Sequence, residues 1–267
     1  MLKKVLYDVY SIYSQEGAEG DIEPAELIDA LSKADELEGK GRGSIKVFSL
    51  GDRKIACRRY IHGGLLRGIT RDYFFSGKRA IKEFEIIVYL KNAGFPVVEP
   101  YCAIVEKRGI KKIPYILTVF EKDATSLLDF FSKHEGRSRF KNIKRFACYM
   151  YDLEKLGVYH PDLHLNNVLI TKDDKMKFLD FDKAKKRFIT SKDMERMFWR
   201  LNRYVEKMAK KGYTGVINTS EKILFLRIFK RFSGHNLLPV MQKRMKYQGL
   251  LDKTGWLLDS LLYKGNR

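Results

Sequence analysis

The feature that most constrains this chain is a pair of short segments, HPDLHLNN at His160 to Asn167 and FLDFD at Phe178 to Asp182. Between them, two apolar runs, Asn167 to Ile170 and Met176 to Leu179, flank the polar stretch TKDDK, a pattern that predicts a β-hairpin. Asp162 and Asn167 then lead into the first strand and Asp180 ends the second. A scaffold must hold that hairpin, and the sequence on its two sides differs in kind. From Gly39, short β-like runs are separated by glycines: SIKVFSL, then KIACRRYI. Lys78 to Leu90 carries its apolar residues at near-helical spacing, so a helix is expected there, terminated by Asn92 and Gly94. A strand pair follows, around Tyr101 to Val105 and Pro114 to Phe120. Beyond it, Ser126 to Ser132 and Phe140 to Leu156 read as amphipathic helices, the second ended by Gly157, and the period is helical again from Ser191. Residues 1–38 open on an apolar, aromatic segment and continue as one short helix after Pro24. The expected class is α+β: a β-rich lobe over 39–121 with one key helix, a mainly helical lobe over 122–267, and an N-terminal extension over 1–38. This is the element order of the protein-kinase fold.

Phosphoryl transfer needs a carboxylate to orient the attacking hydroxyl and accept its proton, and oxygen ligands that hold Mg²⁺ against phosphates. The H-x-D-x-x-x-x-N spacing of His160 to Asn167, followed by the strand-terminal Asp180, supplies one base and two metal ligands on a single hairpin. A carboxylate five positions before an asparagine is commonly a turn or a cap. The second aspartate after a strand and a glycine loop upstream weigh against that plainer account. His160 reads as a brace for the loop and His164 has no assigned role. Asp182 stands where the common D-F-G has glycine, which puts a flip of this segment in question.

Upstream, Gly39, Gly41 and Gly43 would let backbone N–H groups approach triphosphate oxygens without a Cβ in the way. The strand Ile55-Ala56-Cys57-Arg58 aligns with V-A-I-K but carries arginine in the lysine position. Alternation puts Ala56 and Arg58 on one face, alanine making room for adenine and the guanidinium reaching phosphate, with Arg59 pointing the other way. Glu83 is the natural ion-pair partner for Arg58 and Glu85 the second choice. The adenine edge would meet backbone groups near Val119 to Glu121.

Taken together, GRG at Gly41 to Gly43, RRYIHGG at Arg58 to Gly64, RDYFFSGKRAIKEF at Arg71 to Phe84, GFPVVEP at Gly94 to Pro100, HPDLHLNN and DFD resemble the bacterial 3-deoxy-D-manno-octulosonic acid (Kdo) kinases. The resemblance runs from Gly39 to Asp182, with the motifs in family order. It implies a protein-kinase-like fold and ATP- and Mg²⁺-dependent phosphorylation of the 4-OH of the Kdo sugar of the lipopolysaccharide inner core. It also implies work at the cytoplasmic face of the inner membrane. By the same matching Asp162 is the base, Asn167 and Asp180 the Mg²⁺ ligands, and Glu83 the partner of Arg58, itself in the family's usual arginine position. The acidic N-terminal segment and the tail beyond Asp182 carry no family motif.

Charge bears on the partner. Of the net +19, residues Lys183 to Arg267 hold +15, with 21 Lys and Arg against 6 Asp and Glu. So basic a segment expects an anionic partner, by charge alone nucleic acid, a membrane face or a phosphorylated lipid, with a merely solvated surface as the plainer alternative; the resemblance implies an anionic membrane surface carrying the lipid-linked acceptor. Nucleic acid is not expected. Between Met194 and Lys211, Met194, Met197, Phe198, Leu201, Val205 and Met208 fall on one helical stripe, read as core. Arg196, Arg200, Arg203, Lys207 and Lys210 gather on another, read as membrane-facing. Leu224 to Phe232 (LFLRIFKRF) is a second such segment, with a buried helix as its alternative. Arg67 and Arg71 are placed in sequence to meet an anionic acceptor, arginine's planar fork suiting carboxylate or phosphate. Three widely separated cysteines argue against a disulfide framework or zinc cluster, and no stretch is long and apolar enough to span a bilayer. A cytoplasmic protein peripheral to the inner membrane is the expectation. The rivals are a heptose or other phosphotransferase on the same fold, and a silent kinase-like module that binds an anionic partner.

Overall fold

A computed structural model describes residues 2–17, 22–37, 45–61 and 74–247. Gly39, Gly41, Gly43, Arg67 and Arg71 lie outside the described residues. The described chain forms two compact units, one reaching Phe130 and including Asp162–Lys186, the other made of Phe131–Pro161 and the residues from Arg187.

The first unit is built on a seven-stranded sheet. Its strands are β1 (Leu2–Tyr7), β2 (Tyr10–Gln15), β3 (Asp35–Leu37), β4 (Ile45–Leu50), β5 (Arg53–Arg59), β6 (Pro100–Arg108) and β7 (Lys111–Val119), in the order β1-β2-β6-β7-β5-β4-β3. All six pairings are antiparallel. The apolar opening of the chain is therefore a hairpin whose second strand pairs with β6. Helix α1 (Pro24–Lys33) starts at a proline, whose missing N–H costs nothing in a first turn. Its Leu27 and Leu31 pack with Ile12, Phe48, Ile55, Cys57, Cys102, Ile104 and Leu117 into one core on one face of the sheet.

Helix α2 (Lys78–Asn92) lies on the opposite face, where Phe84, Ile87 and Leu90 are buried. The close approach needs a glycine at its start: a Cβ on Gly77 would fall 2.4 Å from a Val105 methyl on β6. Since Ile55 and Cys57 are committed to the α1 face, Ala56 and Arg58 point to the α2 side. The hairpin Val168–Ile170/Met176–Phe178 has the register Val168↔Phe178 and also pairs with Thr125–Ser126. The α+β class and antiparallel sheet are those of a kinase-like fold.

In the second unit, α4 (Arg137–Lys155), α5 (Ser191–Lys210) and α6 (Thr219–Ser233) succeed the short α3 (Leu127–Lys133). Phe146 and Phe198 meet Phe225, and Phe198 meets Phe229 edge-on at 4.7 Å. Both α5 and α6 begin with reciprocal capping boxes, Thr190 with Asp193 and Asn218 with Glu221. The Met194–Met208 stripe is buried, while Arg196, Arg203, Lys207 and Lys210 are exposed and Arg200 is half-buried. In α6, Leu226 and Phe229 are buried, and Arg227, Lys230, Arg231 and Phe232 exposed. Among the described residues no helix is long and apolar enough to cross a membrane.

Candidate active site

The site is assembled where the 162–186 segment meets β5 and α2. The Phe178 N–H donates to Pro96 O at 2.8 Å and the Val98 N–H to Phe178 O at 2.9 Å, so the second hairpin strand is pinned to the chain that leaves α2. Phe178 and Phe181 are fully buried on either side of the Asp180 backbone. The Leu179 N–H donates to Asn167 O at 3.0 Å, which aligns the start of one strand with the end of the other. Asn167 is buried, and its amide donates to Asp162 O at 3.4 Å, closing the Asp162–Asn167 turn.

Four non-glycine residues among those described have positive φ, and all four are aspartates: Asp8, Asp123, Asp174 and Asp180. Asp8 and Asp174 sit in hairpin turns, where aspartate tolerates a left-handed backbone. Asp180, at φ 64°, is not in such a turn. Its conformation is upheld by side-chain contacts, the usual circumstance of strained residues in working sites.

Those contacts form a charged network. Arg58 Nη1 donates to Asp180 Oδ1 at 2.6 Å, while its Nη2 donates to both Glu83 oxygens at 2.7 and 2.6 Å. Glu83, only 1% exposed, also accepts the Tyr60 hydroxyl and, at 3.0 Å, the Phe181 N–H. Glu85 is exposed on another side of α2. One carboxylate thus ties β5, α2 and the D-F-D backbone together. Burial above all raises Glu83 to about 7, opposed by Arg58 and the Tyr60 hydrogen bond and reinforced by the Asp180 and Asp182 charges. Burial pulls the Arg58 guanidinium the other way, but Glu83 and then Asp180 outweigh it and hold it well above its ordinary value.

Three further side chains at the site, Tyr60, Arg79 and Lys183, were not singled out from the sequence. Arg79 donates through Nε and Nη2 to the two oxygens of Asp182, and so occupies the residue that replaces glycine in D-F-G. Its guanidinium lies 5.1 Å from the Tyr60 ring and 5.7 Å from the Phe74 ring, and the Arg58 guanidinium is also 5.1 Å from Tyr60. Lys183 Nζ lies 2.6 Å from Asp162 Oδ2. Arg79 was within reach of sequence reasoning, because it precedes Glu83 by four positions on the same helix. Nothing in the sequence marks Lys183, and Tyr60, although it lies within RRYIHGG, carries no local signal of its partner.

Among the described residues no group of three or more His, Cys, Asp and Glu could hold a metal ion. A carboxylate at Asp180 and an amide oxygen at Asn167 are nonetheless hard donors of the kind Mg²⁺ accepts when substrate phosphates complete its shell. The donor set fits a metal that arrives with a nucleotide.

The model of the lipopolysaccharide kinase (Kdo/WaaP) family matches residues 29–219. The chain is similar to a protein of Vibrio parahaemolyticus named 3-deoxy-D-manno-octulosonic acid kinase, 32% identical over 151 residues, which are 55% of this chain and 62% of the relative. A protein of the same name from Xylella fastidiosa is 27% identical over 172 residues, 63% of this chain and 68% of the relative. A third, from Pasteurella multocida, is 32% identical over 140 residues, 48% and 56% of the two chains. The matched part spans 62% of the length of the Vibrio relatives.

Proposed function

The chain belongs to the lipopolysaccharide kinase (Kdo/WaaP) family, and from that premise we propose that it transfers the γ-phosphoryl group of ATP to the 4-hydroxyl of a lipid-linked Kdo sugar. The observation that carries this reading is the triad in which Arg58 bridges Glu83 and Asp180. In a kinase, a cation fixed by a helix carboxylate beside the metal-holding aspartate must be in place before phosphates are gripped. Here arginine takes the part usually given to lysine, offering a planar fork to phosphate oxygens and retaining its charge.

In this reading Asp162 accepts the proton of the attacking hydroxyl and sets its oxygen in line with the terminal phosphate. Lys183, beside that carboxylate, faces the charge that gathers as phosphate and sugar approach. Asn167 and Asp180 would hold Mg²⁺, which supplies charge neutralisation across the phosphates when bound. Arg58 orients the phosphates, Glu83 and Tyr60 orient Arg58, and Ala56 leaves space for the base. Gly41 and Gly43 are assigned to the phosphates, and Arg67 and Arg71 to the anionic acceptor, on sequence grounds alone. The enzyme would work at the inner face of the inner membrane, held reversibly by basic side chains worth about 1 kcal/mol each near an anionic leaflet.

Mass spectrometry of lipid-linked Kdo incubated with the protein, ATP and Mg²⁺ tests the reading. The expected result is one added phosphate, located on O4 by phosphorus–proton correlation, and its disappearance with Asp162→Ala while nucleotide still binds. Transfer to heptose-containing core or to a generic protein, with none to Kdo, would overturn the acceptor. Nucleotide binding with no transfer to any of the three would overturn the catalytic reading.

A further inference from the structure

Among the described residues of the first unit, the exposed large apolar side chains collect at one end of its sheet. The end of the β1–β2 hairpin presents Leu6, Tyr7 and Val9, and the end of the β6–β7 hairpin, KRGIKK at Lys107 to Lys112, presents Ile110 at 80% exposure. The two turns are neighbours, since Tyr10 pairs with Glu106 and the Lys107 N–H donates to Val9 O at 2.8 Å. On the far side of β7, Phe74 and Lys112 exchange backbone hydrogen bonds at 2.8 and 2.7 Å, which brings Phe75, 81% exposed, to the same rim. Lone apolar residues on a surface mean little, but a group of them at one edge marks an interaction site.

Cations surround the group. Lys107, Arg108 and Lys111 are exposed and Lys112 half-buried in the strand ends that flank Gly109 and Ile110, and Lys78 is exposed at the start of α2. Among the described residues, the acidic ones there are the exposed Asp8 and the buried Glu106, which is taken up by Arg108 and Tyr115. A second copy of the chain docked by the same rim would set these cations against one another. A nucleic acid would take the lysines but has no place for Ile110 and Phe75. An anionic bilayer takes both, its headgroup phosphates meeting lysine and arginine while tip side chains enter the acyl boundary.

We propose that the rim formed by the β1–β2 turn, the β6–β7 turn and Phe75 docks the protein on an anionic lipid surface, with Ile110 and Phe75 as apolar anchors. The exposed face of α5 offers charge without an apolar anchor, so it contributes less. The rim also adjoins the candidate site. Phe74, next to Phe75, lies 5.7 Å from the Arg79 guanidinium, and Arg79 is bound to Asp182. Docking here would bring D-F-D close to the headgroups, where the sugar of a glycolipid acceptor sits. Only that last connection rests on the kinase reading.

The test uses the full chain with sedimenting vesicles of phosphatidylcholine alone or mixed with phosphatidylglycerol, without nucleotide or acceptor, so its outcome is independent of catalysis. Wild type should partition onto the mixed vesicles, and less so as salt rises. The double variant Phe75→Ser/Ile110→Ser should lose at least about tenfold in partition, since burying even one large apolar side chain is worth that much. Lys107→Glu/Lys111→Glu should lose a comparable amount, whereas Arg203→Glu/Lys207→Glu on α5 should lose less. Because all these side chains are exposed, the urea midpoint should hold in each variant. Undiminished binding by both rim variants would overturn the proposal. So would loss confined to the α5 variant, or a rim variant that changes the sedimentation coefficient of the lipid-free protein, which would reveal a protein partner surface instead.

Discussion

Glu83 gives the sharpest perturbation, because its single carboxylate accepts four hydrogen bonds from three donors and is almost wholly buried. In Glu83→Ala the Tyr60 hydroxyl and the Phe181 N–H lose their acceptor, at about 1–3 kcal/mol for each buried group left unmet. Arg58 loses one of its two carboxylates, but it retains Asp180 and its side chain is 30% exposed, so the full cost of about 3–5 kcal/mol for stranding a buried charge does not apply. The expected total is about 3–5 kcal/mol, read from urea unfolding. Glu83→Gln keeps the shape and an acceptor for Phe181 but turns an amide toward the guanidinium, and about 2 kcal/mol is expected.

The pH dependence separates two consequences of the same group. With Glu83 raised from 4.5 to about 7, the folded protein binds its proton more tightly than the unfolded chain. The stability this confers is present in full below about 4.5 and is lost as pH rises to about 7. The deficit of Glu83→Gln should narrow over that window. Activity should run in the opposite sense, since ionised Glu83 grips Arg58: turnover of the wild type should fall as pH drops through about 7, with no such limb in Glu83→Gln. A cost below about 1 kcal/mol for Glu83→Ala, or an unchanged acid limb in Glu83→Gln, would refute the reasoning.

Lys183→Ala should lower kcat about 10- to 100-fold with nucleotide affinity retained, and Lys183→Arg should recover part of it, as measured by ATP-dependent labelling of the acceptor. In the second unit, Arg139 donates to both oxygens of Glu221 at 2.6 Å in a buried setting and to Gly215 O at 2.5 Å in a part-buried one. Arg139→Met should therefore cost about 3–5 kcal/mol in urea unfolding. Asp193 is held far below its ordinary 3.8, chiefly by Arg187, against the upward push of burial and with help from Thr190. Its stabilisation is present above 3.8 and lost as pH falls toward the depressed native value. Asp193→Asn should thus cost about 1–3 kcal/mol at neutral pH and close on wild type in acid, by thermal unfolding across pH.

Local periodicity carried much of the first unit. Alternation in Ile55–Arg58 assigns Cys57 to one face and Arg58 to the other, because a strand has no other choice once one face is apolar. The helix at Lys78 and the hairpin after Asn167 are likewise legible, since spacing and turn residues act between near neighbours. Leu2–Gln15 was not: its strands exist because β6 offers them an edge, and a segment's own residues do not record who will pair with it. The same limit applied to the site. Arg58 and Asp180 are 122 positions apart, and Arg79 and Asp182 are 103. That the aspartates and arginines were of the right kinds could be read from the chain. That Arg79 would take Asp182, Lys183 would sit against Asp162, and Phe75 and Ile110 would share one rim was decided by packing alone, because such contacts depend on where whole elements come to rest.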